Sequence, residues 1–104
     1  MKSLDIFNHL LGIKLAGKNA ALATIIRTKG STPRKAGSKM LIMEDGNLIG
    51  TIGGGCGEAE VIETAMVVIS SQKPAQHQVD LTKGLFYEDG GICGGIMDVF
   101  IEPV

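Results

Sequence analysis

Apolar residues recur along this chain in two rhythms, one at every third or fourth position and one at every second. Ser3 followed by Leu4, Phe7, Leu10 and Leu11 predicts an N-capped amphipathic helix, with Asp5 in its first turn and Gly17 as its stop. Residues 20–28 are a nearly continuous apolar run containing Ile25 and Ile26, which predicts a buried central strand. Two further strands are expected at residues 39–43 and 48–52. They are joined by Glu44-Asp45-Gly46-Asn47, whose Asp-Gly pair is a strong hairpin signal. Helical spacing returns at Ile62, Ala65, Met66 and Ile69, so a second helix should run from about Glu58 to Ser71, with Pro74 beyond its end. Strands are predicted again at residues 76–81 and 96–102.

The order α-β-ββ-α-β-β predicts an α+β, two-layer domain: a mixed sheet of about five strands with both helices packed on one face. A length of 104 residues is expected to hold a single domain, residues 1–104, without a second one. Hydrophobic residues make up 44% and charged residues 20%, which argues against disorder. The net charge of −1 gives nucleic acid or an anionic membrane no electrostatic foothold, and the absence of Trp weakens any base-stacking surface. The first residues lack the h-region of a signal peptide, and no apolar run approaches the ~18 residues of a membrane span. A cytoplasmic location with two reduced thiols is the expectation.

Glycine changes this ordinary picture. Of fifteen glycines, most fall between Gly30 and Gly95, and both cysteines sit among them, in Gly53-Gly54-Gly55-Cys56-Gly57-Glu58 and Gly90-Gly91-Ile92-Cys93-Gly94-Gly95. Glycine lets main-chain N–H groups approach a ligand closely. The first turn leads from a strand into a helix, whose unpaired N–H groups favour an anion and the thiolate form of Cys56. Glu58 and Glu60 could satisfy that field instead, leaving a plain tight turn. The loop at residues 29–37 carries Lys29, Ser31, Thr32, Arg34 and Lys35. Hydroxyls beside Arg suit a phosphate or another oxyanion, and a solvated charged loop is the other reading.

Other chemistries fail on spacing. A dinucleotide fingerprint beginning at Gly53 would need Gly or Ala where Glu58 stands, and the chain has no Walker-type phosphate loop. Only His9 and His77 could complete a zinc set with the cysteines, and neither is near one in sequence. No Ser-His-Asp or paired-carboxylate pattern is apparent. The residues support a thiol-bearing, anion-friendly pocket without naming a reaction.

Gly30-Ser31-Thr32-Pro33-Arg34, Gly37-Ser38-Lys39-Met40 and Gly50-Thr51-Ile52-Gly53-Gly54-Gly55-Cys56-Gly57-Glu58 resemble the N-terminal domain of the XdhC/CoxI family. Gly91-Ile92-Cys93-Gly94-Gly95, running into Asp98-Val99-Phe100-Ile101-Glu102-Pro103, is similar to its closing motif. The resemblance covers residues 21–103. It implies an accessory, non-enzymatic protein that transiently binds the molybdenum cofactor, molybdopterin. That protein would support the cofactor's sulfuration or insertion into an apo molybdenum hydroxylase of the xanthine dehydrogenase or carbon monoxide dehydrogenase type. On this reading Ser31, Thr32, Arg34, Gly53, Gly54, Gly55, Cys56, Glu58, Cys93 and Gly94 contact the cofactor, with Cys56 and Cys93 as soft ligands to its metal. A cysteine desulfurase, a second copy and a separately encoded Rossmann-like chain are the other implied partners, since larger family members carry a C-terminal Rossmann-like domain. Gly57 stands where the family often has a larger apolar residue, which implies a looser loop. Two other functions fit the same residues. One is an interaction subunit that docks on a Rossmann-like partner without binding cofactor. The other is a small thiol-redox protein, which needs the cysteine Cα atoms within about 7 Å.

Overall fold

Side chains on a strand alternate between the two faces of its sheet, so burial on successive residues requires cover on both sides. The computed structural model describes residues 3–53, 57–82 and 94–104, and for Ser3 and Leu4 the backbone only. The elements are α1 (Ser3–Ala16), β1 (Ala20–Lys29), β2 (Lys39–Met43), β3 (Leu48–Gly50), α2 (Glu58–Ser71), β4 (Ala75–Asp80) and β5 (Ile96–Pro103). They form an α+β fold on one five-stranded sheet of order β3-β2-β1-β5-β4, with β1 at the centre as its apolar run predicts.

Two details differ from expectation. Every strand pair is antiparallel, so the sheet is not mixed. α2 carries the chain from one sheet edge to the other, and β5 then returns between β4 and β1, antiparallel to both. The helices also lie on opposite faces. Ala21, Ala23 and Ile25 of β1 join Met40, Ile42, Val79, Met97, Val99 and Ile101 beneath Val61, Ala65 and Val68 of α2. The intervening Ala20 and Leu41 pack with Ile13 of α1 on the other side. Met40, Leu41 and Ile42 are consecutive and all fully buried, which a single covered face cannot achieve.

The first helix ends as expected at Gly17. Gly17 N–H donates to Lys14 O (3.2 Å) and Lys18 N–H to Ile13 O (3.1 Å), the paired bonds of a Schellman stop. Its buried residues are Ile6 and Ile13, however, while Phe7 and Leu11 face outward. The hairpin turn is held by Asp45, whose carboxylate accepts from Asn47 N–H (2.9 Å) and Asn47 Nδ2 (3.0 Å). β1 carries a bulge: Ile25 pairs with Val99 and Arg27 with Asp98, leaving Ile26 without a partner and 45% exposed.

Candidate functional site at one end of the sheet

The antiparallel register gathers the motif-bearing connections at one end of the sheet. Lys29 closes β1 opposite Ile96, which opens β5, and Asp80 closes β4 opposite the same residue. β2 opens there at Lys39 and β3 closes there at Gly50, opposite Met40. The 30–38 loop, the 51–57 turn and the 81–95 connection therefore all leave from this end.

Two fastened clusters occupy it. In the first, Gly94 N–H donates to Ser31 O (3.1 Å). A Cβ on Gly95 would lie 2.4 Å from Lys29 O, 2.7 Å from Ser31 O and 2.8 Å from Thr32 Cγ2, so only glycine lets the basic loop pack this closely on the start of β5. Ser31, Thr32 and Gly94, separate in sequence, are thus brought together. Thr32 Oγ1 donates to Arg34 O (2.9 Å), turning the loop, and the exposed Arg34 donates from Nη1 to Pro33 O (3.2 Å).

In the second cluster Glu58, the first residue of α2, reaches back over the turn. Thr51 Oγ1 donates to Glu58 Oε2, and Gly53 N–H lies 3.3 Å from both oxygens. Gly57 forms the N-cap in a left-handed conformation (φ 72°) without a side-chain cap bond. Any Cβ there would stand 2.3 Å from Val79 Cγ1. A side chain at position 57 would be strained by the positive φ and would press on Val79, so glycine suits this position. The Gly53 N–H, expected to face an anion, is engaged by Glu58 and Thr51, and Glu58 itself acts as an internal brace.

Leu81 joins the two clusters. It is fully buried, it would be 3.6 Å from a Cβ on Gly57, and its N–H donates to Gly95 O (2.8 Å). In the sequence Leu81 reads only as a strand end and Thr51 only as part of a motif; the contacts that define both are set by the fold. Equally hidden there is a cleft of about 230 Å³ beside the first cluster, lined by Arg27, Thr28, Lys29, Gln78, Ile96 and Asp98. In it Gln78 Nε2 donates to Asp98 Oδ1 (3.0 Å) and Arg27 Nε stands 3.8 Å from Asp98 Oδ2. Arg27 is largely exposed, so its ion pair is weakly held and its guanidinium accessible.

The described residues hold Arg34 through its own bond to Pro33 O. None of their His, Cys, Asp and Glu side chains forms a metal-holding group of three. His77 instead packs toward Glu60, with Nε2 at 3.7 Å from its carboxylate. Gly54, Gly55, Cys56 and Cys93 lie outside the described residues, and with them the expected thiol pair. No described helix is long and apolar enough to cross a membrane.

The motif residues brought together here lie in or flank the part of the chain, residues 14–80, that matches the XdhC and CoxI family model. The chain belongs to the XdhC and CoxI family. It is 35% identical over 99 residues to the Escherichia coli (strain K12) Uncharacterized protein YqeB, a match covering 95% of this chain and 18% of that protein. It is 34% identical to a probable xanthine dehydrogenase subunit from Bacillus subtilis (strain 168), over 84% of this chain and 27% of that one. Identity to the Escherichia coli (strain K12) Molybdenum cofactor insertion chaperone PaoD is 35% over 55% of this chain and 18% of that protein. A crystal structure of a xanthine dehydrogenase from Bacillus halodurans superposes with a TM-score of 0.83 at 32% identity, covering all of this chain and 31% of the other. The chain spans less than a third of the length of each of these proteins.

Proposed function

We propose that this chain is a maturation module of a molybdenum hydroxylase: a cofactor-binding chaperone, not an enzyme, working in the cytoplasm. The observation that carries the reading is the joining of Ser31 and Thr32 to Gly94 at the sheet end from which the two cysteine-bearing connections also depart. Relatives named as a molybdenum cofactor insertion chaperone and as a probable xanthine dehydrogenase subunit support it.

The donor chemistry present fits molybdopterin. Its phosphate would be held by the Ser31 hydroxyl with Arg34, by Thr32 once its O–H turns away from Arg34 O, and, from the adjoining cleft, by Arg27 and Lys29; guanidinium and hydroxyl donors match phosphate oxygens. Gly54, Gly55, Cys56 and Cys93 would face the dithiolene and its metal, for which thiols are suitable soft partners. The cofactor, when bound, supplies the redox-active metal centre that the hydroxylase needs. This chain's residues bind and orient it, and they hand it to the apo-hydroxylase, with a cysteine desulfurase as the source of sulfur. Glu58 would act at one remove, by fixing the turn that carries Cys56.

Native mass spectrometry of the protein incubated with cofactor released from a hydroxylase tests this. The expected result is a one-to-one adduct that Arg34→Ala weakens and the double variant Cys56→Ser/Cys93→Ser largely abolishes. Absence of any adduct with the intact chain would remove the cofactor reading and favour the interaction subunit docked on a Rossmann-like chain. The exposed apolar stripe on α1 is the observation that supports that second reading.

A further inference from the structure

Side chains alternate along β5: Met97, Val99 and Ile101 enter the core beneath α2, so Ile96 and Asp98 stand on the opposite side of the sheet. The cleft of about 230 Å³ opens there, and the sheet register builds one row of it from three strands. Asp98 lies between its strand partners, Arg27 on β1 and Gln78 on β4. The Asp98 side chain is 12% exposed, and its two oxygens are used unequally. Oδ1 accepts from Gln78 Nε2 at 3.0 Å, whereas Arg27 Nε stands 3.8 Å from Oδ2, longer than a hydrogen bond. With Nε2 committed to Asp98, Gln78 keeps its amide oxygen Oε1 as a second acceptor. Two acceptors are thus held on opposed residues of neighbouring strands, in a cleft that also has Ile96 as an apolar wall and the cations Arg27 and Lys29.

This mixture narrows the ligand. A phosphate lodged in this row would meet the Asp98 carboxylate, and a cationic group would meet Arg27 and Lys29. Both signs are satisfied by an uncharged ring whose edge carries adjacent N–H donors and whose negative charge sits elsewhere on the molecule. Molybdopterin has that pattern: the 2-amino-4-oxo edge of its pterin sets a ring N–H beside an amino group, and its phosphate lies at the other end. N–H donors to a carboxylate make the stronger, charge-assisted kind of hydrogen bond.

We propose that the cleft recognises the pterin ring, with Asp98 Oδ2 and Gln78 Oε1 accepting from its ring N–H and amino groups. The proposal rests on the cofactor reading above and adds to it the residues that select the ring. Arg27 is largely exposed, so its loose pair with Asp98 gives way at small cost and leaves the guanidinium to the phosphate. Asp98 is four residues from Gly94, at most roughly 14 Å of chain, so one elongated ligand can span the cleft and the Ser31 loop. Carried on strands, the row is also held more precisely than a loop would hold it.

Nitrogen-15 NMR titration of the full chain with pterin-6-carboxylate and with lumazine-6-carboxylate tests this. Lumazine carries an oxygen where pterin carries the 2-amino group and is otherwise the same ring system. Pterin-6-carboxylate should shift the amides of Gln78, Ile96 and Asp98 and bind at least about tenfold tighter than the lumazine. Asp98→Asn, which keeps the side-chain shape, should bring the two ligands within about twofold of each other. Gln78→Ala, at an exposed position, should narrow the preference as well and carries the test if the Asp98 variant does not fold. No shift at millimolar ligand, shifts confined to other residues, equal affinity for the two rings, or a preference that survives both substitutions would each overturn the proposal. Failure of the cofactor reading shows differently, as no adduct with the whole cofactor in the mass spectrum. An adduct that Arg34→Ala weakens and Asp98→Asn leaves unchanged would strike the ring site and keep the cofactor reading.

Discussion

The two faces of the sheet are built to different standards. Beneath α2, side chains from β1, β2, β4 and β5 close with Val61, Ala65 and Val68 into a core without solvent access. Beneath α1, among the described residues, Ile13, Ala20 and Leu41 form a small buried cluster with Ile6 buried besides, ringed by partly buried Leu10, Leu22, Met43, Ile49 and Val104. The same strands supply both faces, so strand propensity is not the cause. The difference lies in the helices: α2 buries one coherent stripe, whereas α1 divides its apolar residues between two sides. The α2 face holds the fold together, and the α1 face is left available to another surface.

Core truncation should separate the faces most strongly. Ile101→Ala removes a fully buried side chain from the α2 core, where close packing on all sides limits collapse, and should cost about 2–5 kcal/mol. Ile13→Ala should fall near the low end, about 2 kcal/mol, because α1 can settle toward the sheet and the site opens to solvent. Urea denaturation below the micromolar range measures both; equal losses would mean that the α1 face is as tightly specified as the other.

Glycine replacement sharpens the comparison with a change of sign. Gly95→Ala forces a methyl group against backbone carbonyls and should cost about 1–3 kcal/mol. Gly12→Ala, on α1, meets nothing within 4 Å and should stabilise by about 0.5–1 kcal/mol through helix propensity. Thermal melts of the two variants check the pair, and a destabilising Gly12→Ala would show that α1 is already covered on its outer side.

The smallest expected effect concerns the thiols. Cys56 precedes α2 and Cys93 precedes β5, and a helix start favours a thiolate more than a strand does. Iodoacetamide should therefore alkylate the Cys93→Ser variant, which retains Cys56, only a few-fold faster than Cys56→Ser, since Glu58 and Glu60 oppose the field. Faster reaction at Cys93 would exchange the two proposed roles.

Local patterning made most elements legible. The Asp-Gly hairpin, the α2 stripe and its end at Ser71, and the start of β5 at Ile96 all follow from short-range signals. The inward face of α1 did not, because Phe7, Leu10 and Leu11 offered a stripe as plausible as Ile6, Leu10 and Ile13. The sidedness of the helices was encoded in Met40-Leu41-Ile42, whose uninterrupted burial demands two covers. At the site, Ser31, Thr32 and Gly94 were legible as motif residues. Leu81, Thr51, Arg27 and Asp98 were not, because their parts depend on pairings across the sheet that no local window contains. Glu58 was legible as important but not as a brace, since its partners Thr51 and Gly53 are set by the geometry of the turn.

The bulge in β1 can be understood as a frameshift. A strand has a reading frame of two, one phase for each side of the sheet, and Ile26 is the extra letter. Were the strand regular, Ile26 would fall opposite Asp98 and Arg27 opposite Met97, placing a guanidinium in the dry layer beneath α2. The inserted residue restores the phase, so that Arg27 stands beside Asp98 in the open cleft at the site end. Removing Ile26 would therefore leave every later residue of β1 on its present side. Removing any regular residue of the strand would exchange inside for outside along the stretch that follows.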